Sequence, residues 1–350
     1  MISHTPHYRT AAGEIVGYGP TVRELDALGA AVHIAPLHPD PPPPSARPYS
    51  TPLTYIPVEP AGGDRLRDKL AVLARIPGWA RTIRREARRA GMLHIRCPAA
   101  ISLVALAVTG GRAWIKYAGS WAGYPGEPLA TRIQRVWLRI RRRAVVTTNS
   151  PSCLPHVHTL PNPCLSTAEL ATARHIAAGR TFEPPVRVLY AGRLTPEKGI
   201  GRALAVLARL DGALLDVAGG GDLAHWQAHA ANLGIGARVT FHGELPRADL
   251  DRLYARAHLL LLPSRSEGWP KVLAEAMAFG VVPVVSDTGA VPHTLDGVGI
   301  CLPYGDIDGF AAAVRAYDAA RWQAESGRAA QMAERFTYEA YTGMLWAILS

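Results

Sequence analysis

The sequence predicts an α/β protein of two domains, each built on a doubly wound parallel sheet. Three observations predict it. Strand-length apolar runs alternate with helix-length segments through most of the second half of the chain, a pattern that gives parallel sheets. Glycine-bearing loops directly follow several of those runs, at 192–199 and 219–222. The chain has 350 residues, 48% of them hydrophobic and 19% charged, which is ample for two cores.

In the first half, residues 2–40 read as strand, loop, helix and strand. The loop is Gly17-Tyr18-Gly19-Pro20-Thr21, the helix covers about 22–28 with Gly29 after it, and the strand covers 32–36. Gly19 is a candidate ligand-contacting glycine, although a simple turn has the same sequence. Residues 39–52 are proline-dense and suit a loop or flap, and 53–58 is a short strand. Arg81, Arg84, Arg85, Arg88 and Arg89 share one face of a helix. A strand (93–96), an apolar helix (99–108) and another strand (113–117) follow, and then a glycine-rich loop at 118–126. Residues 131–143 form an amphipathic helix, with Ile133, Val136, Trp137 and Ile140 as its apolar stripe. Arg132, Arg135, Arg139, Arg142 and Arg143 lie on the other side. A strand follows at 144–148, and the prolines and glycines of 155–185 suit a domain linker.

The second half opens with a strand (186–191) and the loop Gly192-Arg193-Leu194-Thr195-Pro196-Glu197-Lys198-Gly199. Helix 201–210 and strand 213–218 lead to Gly219-Gly220-Gly221-Asp222. Helix 223–233, strand 239–242 and helix 248–257 lead to strand 258–262. The stretch PSRSEGWPKVLAEAMAFG then fills 263–280, before a last strand at 281–285. Within it Glu267 and Glu275 stand eight positions apart, around Gly268, Trp269 and Pro270. Pro270 suits a first helical position and Gly280 a helix end. A helix start offers amide hydrogens and partial positive charge, which favour a phosphate. Carboxylates accept hydrogen bonds from sugar and ribose hydroxyls. Arg193 and Lys198, in a loop just after a strand, suit a diphosphate clamp. A capped surface helix and a solvated basic loop would have the same spacings.

These stretches together resemble the E-x7-E glycosyltransferases of family 4, the retaining GT-B enzymes also called glycosyl transferases group 1. The likeness covers 186–305 with its motifs in order and is loose over 1–165. It implies two Rossmann-like doubly wound domains facing a cleft. Residues 1–165 would bind the acceptor and 166–334 the nucleotide sugar, with a C-terminal helix in 335–350 crossing back to the first domain. It also implies that Glu267 contacts the donor sugar and Glu275 the ribose. Arg193 and Lys198 would neutralise the leaving diphosphate. Gly192, Gly219, Gly220, Gly268, Trp269, Lys271 and Val272 would lie around the donor, and Gly19 would face it from the first domain. The donor would be a UDP- or GDP-sugar. Retention would proceed by front-face attack without a metal or other cofactor. The family often has a histidine in the loop corresponding to 118–126, and this chain has none there. A nucleotide-sugar epimerase or hydrolase on the same fold is the rival enzyme. A non-catalytic nucleotide-sugar-binding protein is the rival of another class.

The charge is uneven. Residues 1–165 hold 21 Lys and Arg against 9 Asp and Glu, a net of +12, whereas residues 166–350 carry a net of −2. An anionic partner for the first half follows. We expect an anionic membrane surface met by Arg81, Arg84, Arg85, Arg88 and Arg89, with a lipid-linked or glycan acceptor. Aromatic residues are not interleaved with the arginines as single-stranded nucleic acid would need, so nucleic acid is not expected. The start of the chain lacks a basic-then-apolar signal and no run is long enough to span a bilayer, so a cytoplasmic protein is expected. The four cysteines, at 97, 153, 164 and 301, have neither metal-ligand nor redox spacing. The triplets Asp249/Asp251 and Asp306/Asp308 are better read as acids in a first helical turn than as metal ligands.

Overall fold

The computed structural model describes residues 1–62, 66–109, 113–124 and 126–350; Pro125 of the glycine-rich loop lies outside the described residues. The chain divides into two compact units. One comprises Met1–Leu160 and Thr342–Ser350, and the other Pro161–Tyr341. No helix among the described residues is long and apolar enough to cross a membrane.

The first unit contains β1 (His7–Arg9), β2 (Ile15–Tyr18), α1 (Gly19–Leu28), β3 (Val32–Pro36), β4 (Ala46–Pro48), β5 (Thr54–Val58) and α2 (Leu66–Ala87). It continues with β6 (Leu93–Cys97), α3 (Ala100–Val108), β7 (Ala113–Tyr117), α4 (Leu129–Ile140), β8 (Val145–Thr148) and β9 (Val157–Thr159). Parallel pairing gives β3 with β5, and β6 through β9 in chain order. Ile2 joins the two sets. It bridges Ile34 on one side and Ile95 on the other, with its amide donating to the His94 carbonyl at 2.8 Å. The first strand is thus shrunk to Met1–Ser3 at the centre of the sheet. Residues 7–18 are not part of it: β1, β2 and β4 form a separate antiparallel sheet. The expected loop at 17–21 is absent, because β2 runs directly into α1, which begins at Gly19.

The second unit contains α5 (Thr167–Ala178), β10 (Arg187–Ala191), α6 (Ile200–Leu207), β11 (Leu214–Ala218), α7 (Leu223–Asn232), β12 (Val239–Gly243) and α8 (Arg247–Arg256). Then come β13 (Leu259–Leu262), α9 (Lys271–Ala278), β14 (Val282–Ser286), α10 (Val291–Leu295), β15 (Ile300–Leu302), α11 (Ile307–Arg315), α12 (Ala319–Met332) and α13 (Tyr338–Leu349), the last running on into the first unit. All six strands are parallel, in the order β12-β11-β10-β13-β14-β15. Every residue of β13 and β14 is buried, as in a sheet covered on both faces. The chain reverses its direction of winding between β10 and β13. In open parallel sheets, ligands bind at the carboxyl ends of the two strands at that point.

Three expectations need correction. The stretch 155–185 is not a linker. It holds β9 and α5, and α5 opens with a capping box in which Ser166 Oγ accepts from the Glu169 amide (3.2 Å) and the Glu169 carboxylate from the Ser166 amide (2.7 Å). The arginine helix α2 ends at Ala87, so Arg88 and Arg89 sit in the turn beyond it, and all five arginines are exposed. In α4 the expected apolar stripe does not lie together in the core. Ile133, Val136 and Ile140 face solvent with only Trp137 half-buried, and Arg135 is buried instead. The cause is polar: Gln134 accepts from the Ala99 amide (3.1 Å) and donates to the Ala99 carbonyl (2.9 Å), while Arg135 pairs with Glu127.

Candidate active site

Three loops at the carboxyl ends of β10, β11 and β12 are laced together by backbone. Gly192 N–H donates to the Ala218 carbonyl (2.9 Å), Leu194 N–H to that of Gly220 (2.9 Å) and Gly219 N–H to that of Gly243 (2.7 Å). Gly219 has φ +149, and a Cβ there would lie 1.8 Å from the Gly192 carbonyl oxygen. Only glycine permits this approach. Asp222 caps α7 by accepting from the His225 amide at 3.0 Å.

The loop after β10 is then fastened to the loop after β13, across the point where the winding reverses. Arg202 on α6 donates to the Pro263 carbonyl (2.6 Å) and to that of Pro196 (3.0 Å). Ser264 Oγ donates to the Lys198 carbonyl (3.1 Å), and the Arg265 amide to that of Glu197 (2.8 Å). From below, the buried Tyr190 hydroxyl donates to the Arg193 carbonyl at 2.9 Å. Burial, reinforced by nearby Glu267, pushes this phenol well above its ordinary value, so it stays a donor. Two functional groups meet across this seam: Lys198 Nζ lies 2.7 Å from Glu267 Oε2, with the two side chains 27% and 10% exposed. Arg193 is exposed and, among the described residues, has no ion pair.

Past Glu267 the chain turns into α9, which starts at Lys271 with Pro270 as its cap residue and is followed by the left-handed Gly280 (φ +71). In this first turn the Leu273 amide donates to the Pro270 carbonyl (3.0 Å), and the partial positive charge of a helix start stands close in sequence to Glu267. Gly268 is held to this turn by accepting from the Ala290 amide (3.1 Å). Trp269 turns inward: its ring is buried and stacks on Phe336 with centroids 5.0 Å apart, so only its backbone can serve a ligand here. Val272 packs against the core of the unit.

Glu275, 8% exposed, sits one turn into α9. Arg247 of α8 lies 3.1 Å from its Oε1, and the Tyr254 hydroxyl donates to its Oε2 at 3.1 Å. Arg247 also holds Asp251 at 2.6 Å. Burial opposes the Arg247 charge, but Glu275 and Asp251 outweigh it and hold the guanidinium firmly protonated. Glu275 is therefore aimed and neutralised from within its own unit.

The structure thus brings Lys198 and Glu267 together, sets Glu275 on a separate charge network, and leaves Arg193 exposed. Gly19 belongs to the other unit. There Gly19 is buried, its amide donates to the Ser45 carbonyl (3.1 Å), and a Cβ would meet that oxygen at 2.7 Å. Close packing accounts for this glycine. Sequence reasoning missed Tyr190, Arg202, Arg247, Tyr254 and Ser264. Arg202, Arg247, Tyr254 and Ser264 reach partners 61, 28, 21 and 66 residues away, and Tyr190 acts from within a strand, where no loop motif marks it. Among the described residues no cluster of side chains could hold a metal ion. Asp306 caps α11 by accepting from the Gly309 amide (2.8 Å), Asp308 pairs with Arg209, and Asp249 with Arg252.

A profile of the family "Glycosyl transferases group 1" matches residues 173–336. The chain is 35% identical over 217 residues to the glycogen synthase of Mycobacterium tuberculosis, covering 57% of this chain and 51% of that protein. It therefore spans about half the length of that curated relative. Among solved structures it resembles a sucrose-phosphate synthase from Thermosynechococcus elongatus, with a TM-score of 0.71 at 21% identity over 99% of this chain and 98% of the other. It also resembles Anabaena HepE in complex with UDP and glucose, with a TM-score of 0.69 at 16% identity over 94% of each. The fold is GT-B.

Proposed function

We propose, from the membership in the glycosyl transferases group 1 that residues 173–336 carry, that this chain transfers a sugar from a nucleoside diphosphate sugar with retention of configuration. The Lys198–Glu267 pair at the winding reversal, beside the start of α9, is the observation that carries the reading. In the free protein Lys198 neutralises Glu267. A bound donor places its diphosphate against Arg193, Lys198 and the positive end of α9, and Glu267 then turns to the sugar hydroxyls. Glu275, already fixed by Arg247 and Tyr254, accepts from the ribose. Gly192, Gly219 and Gly220 let the backbone approach the nucleotide. As the glycosidic bond breaks, negative charge grows on the diphosphate. Positive groups held ready for that charge lower the barrier without a metal. The leaving phosphate takes the acceptor proton on the same face of the sugar, so no separate carboxylate base is needed.

The acceptor in this reading is a lipid-linked or polysaccharide glycan at an anionic membrane face. The excess of basic residues in 1–165 and the exposure of Arg81, Arg84, Arg85, Arg88 and Arg89 support it. A thermal-shift screen with UDP- and GDP-sugars tests the donor site, since a ligand of the native state raises the melting temperature. One class of donor should shift it, in EDTA as well as without, and Glu275→Ala should diminish the shift. No shift with any nucleotide sugar would sink the proposal, and a shift lost in EDTA would restore a metal to it.

A further inference from the structure

We infer that α4 is an in-plane membrane anchor, a helix whose apolar face enters an anionic lipid surface. The inference rests on the membrane-face reading above and shifts its centre from α2 to α4. Leu129, Ile133, Val136 and Ile140 recur at intervals of four, three and four, so they share one face. All four are exposed, at 70, 48, 50 and 70%. A helix on a soluble domain ordinarily turns such a stripe to the core. Here the opposite side is already committed. Leu138 is fully buried, Gln134 bonds both the amide and the carbonyl of Ala99, and Arg135 is closed on Glu127. Rolling the helix to hide the stripe would break all of these, so the exposed face is the one the fold selects.

Charge selects the occupant. From 128 to 143 the chain carries six arginines and no acid. Arg135 is inside, Arg139 donates to the Trp121 carbonyl (3.1 Å), and Arg141 donates to the carbonyls of Leu106 and Thr109. Arg132, Arg142 and Arg143 are exposed and, among the described residues, have no ion pair. A narrow apolar stripe edged by unneutralised arginines is the pattern of a helix lying at the headgroup boundary of an anionic bilayer. A second copy of this chain would bring the same arginines against themselves, and like charges across an interface oppose docking. The arginines at the end of α2 and in the turn beyond it add attraction from a distance, but the large hydrophobic residues exposed on α2 among the described residues, Leu70 and Leu73, lie more than two turns before Arg81.

The experiment is flotation of the full chain with phosphatidylcholine vesicles, with and without phosphatidylglycerol, at low and high salt. The wild type should float with the anionic vesicles only, and high salt should weaken but not abolish this, because the apolar contact is not screened. The triple variant I133S/V136S/I140S should lose binding by about 100-fold, since each side chain withdraws several buried carbons from lipid. R132Q/R142Q/R143Q should lose the preference for anionic lipid. Flotation of the serine variant equal to wild type overturns the inference, as does a wild type that ignores vesicles but dimerises through α4 in light scattering. UDP binding, measured on each protein, separates the two readings. A chain that floats through α4 yet binds no nucleoside diphosphate keeps the anchor and loses the catalytic assignment. A chain that binds the nucleotide but not the vesicles loses the anchor alone.

Discussion

The two units wind their sheets in the same way, with the first strand in the middle and a reversal beside it, yet they treat charge there in opposite ways. In the first unit Glu24 on α1 is 1% exposed and closed between Lys116 of β7 (2.7 Å) and Arg96 of β6 (3.1 Å). In the second, Glu267 has Lys198 as its ion-pair partner, and that lysine is more than a quarter exposed. One carboxylate is sealed by two cations and has nothing to give a ligand. The other is held by a partner that can be drawn away. The same residue types at similar places in the fold are therefore sealed in one unit and partly open in the other, and it is the open pair to which the proposed function gives a chemical role.

The largest effect expected from breaking this contrast is on the sealed side. Glu24→Ala removes the buried carboxylate that pairs with both Lys116 and Arg96, and losing one member of a buried pair costs about 3–5 kcal/mol. Chemical denaturation should show that loss, while the affinity of any folded protein for the nucleotide stays near wild type. A loss under 1 kcal/mol, on the order of a surface pair, would put Glu24 in the exposed class and erase the distinction. Next in size is the open side. Lys198→Ala should lower kcat by about 10²–10³, the scale for removing one group that stabilises developing charge. Its stability should fall by less than that of Glu24→Ala, because this pair is partly open to water, at 27% and 10% exposed, whereas the Glu24–Lys116 pair is sealed. Full activity of the double variant Arg193→Ala with Lys198→Ala would remove the diphosphate role.

The same contrast explains what could be read from the sequence. The second unit was legible because its candidate site is built from contiguous stretches: a strand, a glycine-bearing loop and a helix start, repeated. Gly219 and the Glu267 turn announce themselves by composition. The Arg247–Glu275–Tyr254 network does not, since Arg247 and Tyr254 on α8 stand 28 and 21 residues before Glu275 on α9. The first unit was legible in its strands from 93 to 148 but not in its opening, where one residue, Ile2, does the work of a strand and a hairpin follows it. The α4 helix shows a deeper limit. Periodicity gives the direction of an apolar stripe on a helix but not the direction of the core, which here was decided by Gln134 and Arg135. For α5 the signal was present, as serine and glutamate at capping-box spacing, and the nearby prolines concealed it.

The smallest effect at neutral pH, and one that grows on acidification, comes from the buried histidines of the first unit. Their hydrogen bonds form a single directed chain. Ser3 Oγ lies 2.8 Å from His33 Nε2, His33 Nδ1 lies 2.8 Å from the Tyr49 hydroxyl, that hydroxyl lies 2.7 Å from His7 Nε2, and His7 Nδ1 donates to the Thr5 carbonyl at 2.9 Å. With both rings neutral every group has a partner: Ser3 donates to His33, His33 to Tyr49, Tyr49 to His7, and His7 to Thr5. A proton on either ring turns one acceptor nitrogen into a second donor and breaks the order. Burial lowers His7 to about 4, with the Thr5 carbonyl opposing and His38 assisting, and burial lowers His33 well below its ordinary value. The unfolded chain, with histidines near 6.5, therefore binds more protons than the native state between about pH 6.5 and 4. Stability is whole above pH 6.5 and falls as the pH drops towards 4, His7 alone accounting for about 3 kcal/mol at the acid end. His258 of the second unit, also lowered to about 4 chiefly by burial, adds to the same slope. Denaturant midpoints at pH 7 and pH 4.5 should differ in this sense, and His7→Gln should flatten the difference while costing some stability at pH 7. An NMR titration placing His7 near 6.5 in the folded protein would show that the chain of hydrogen bonds does not exclude the proton.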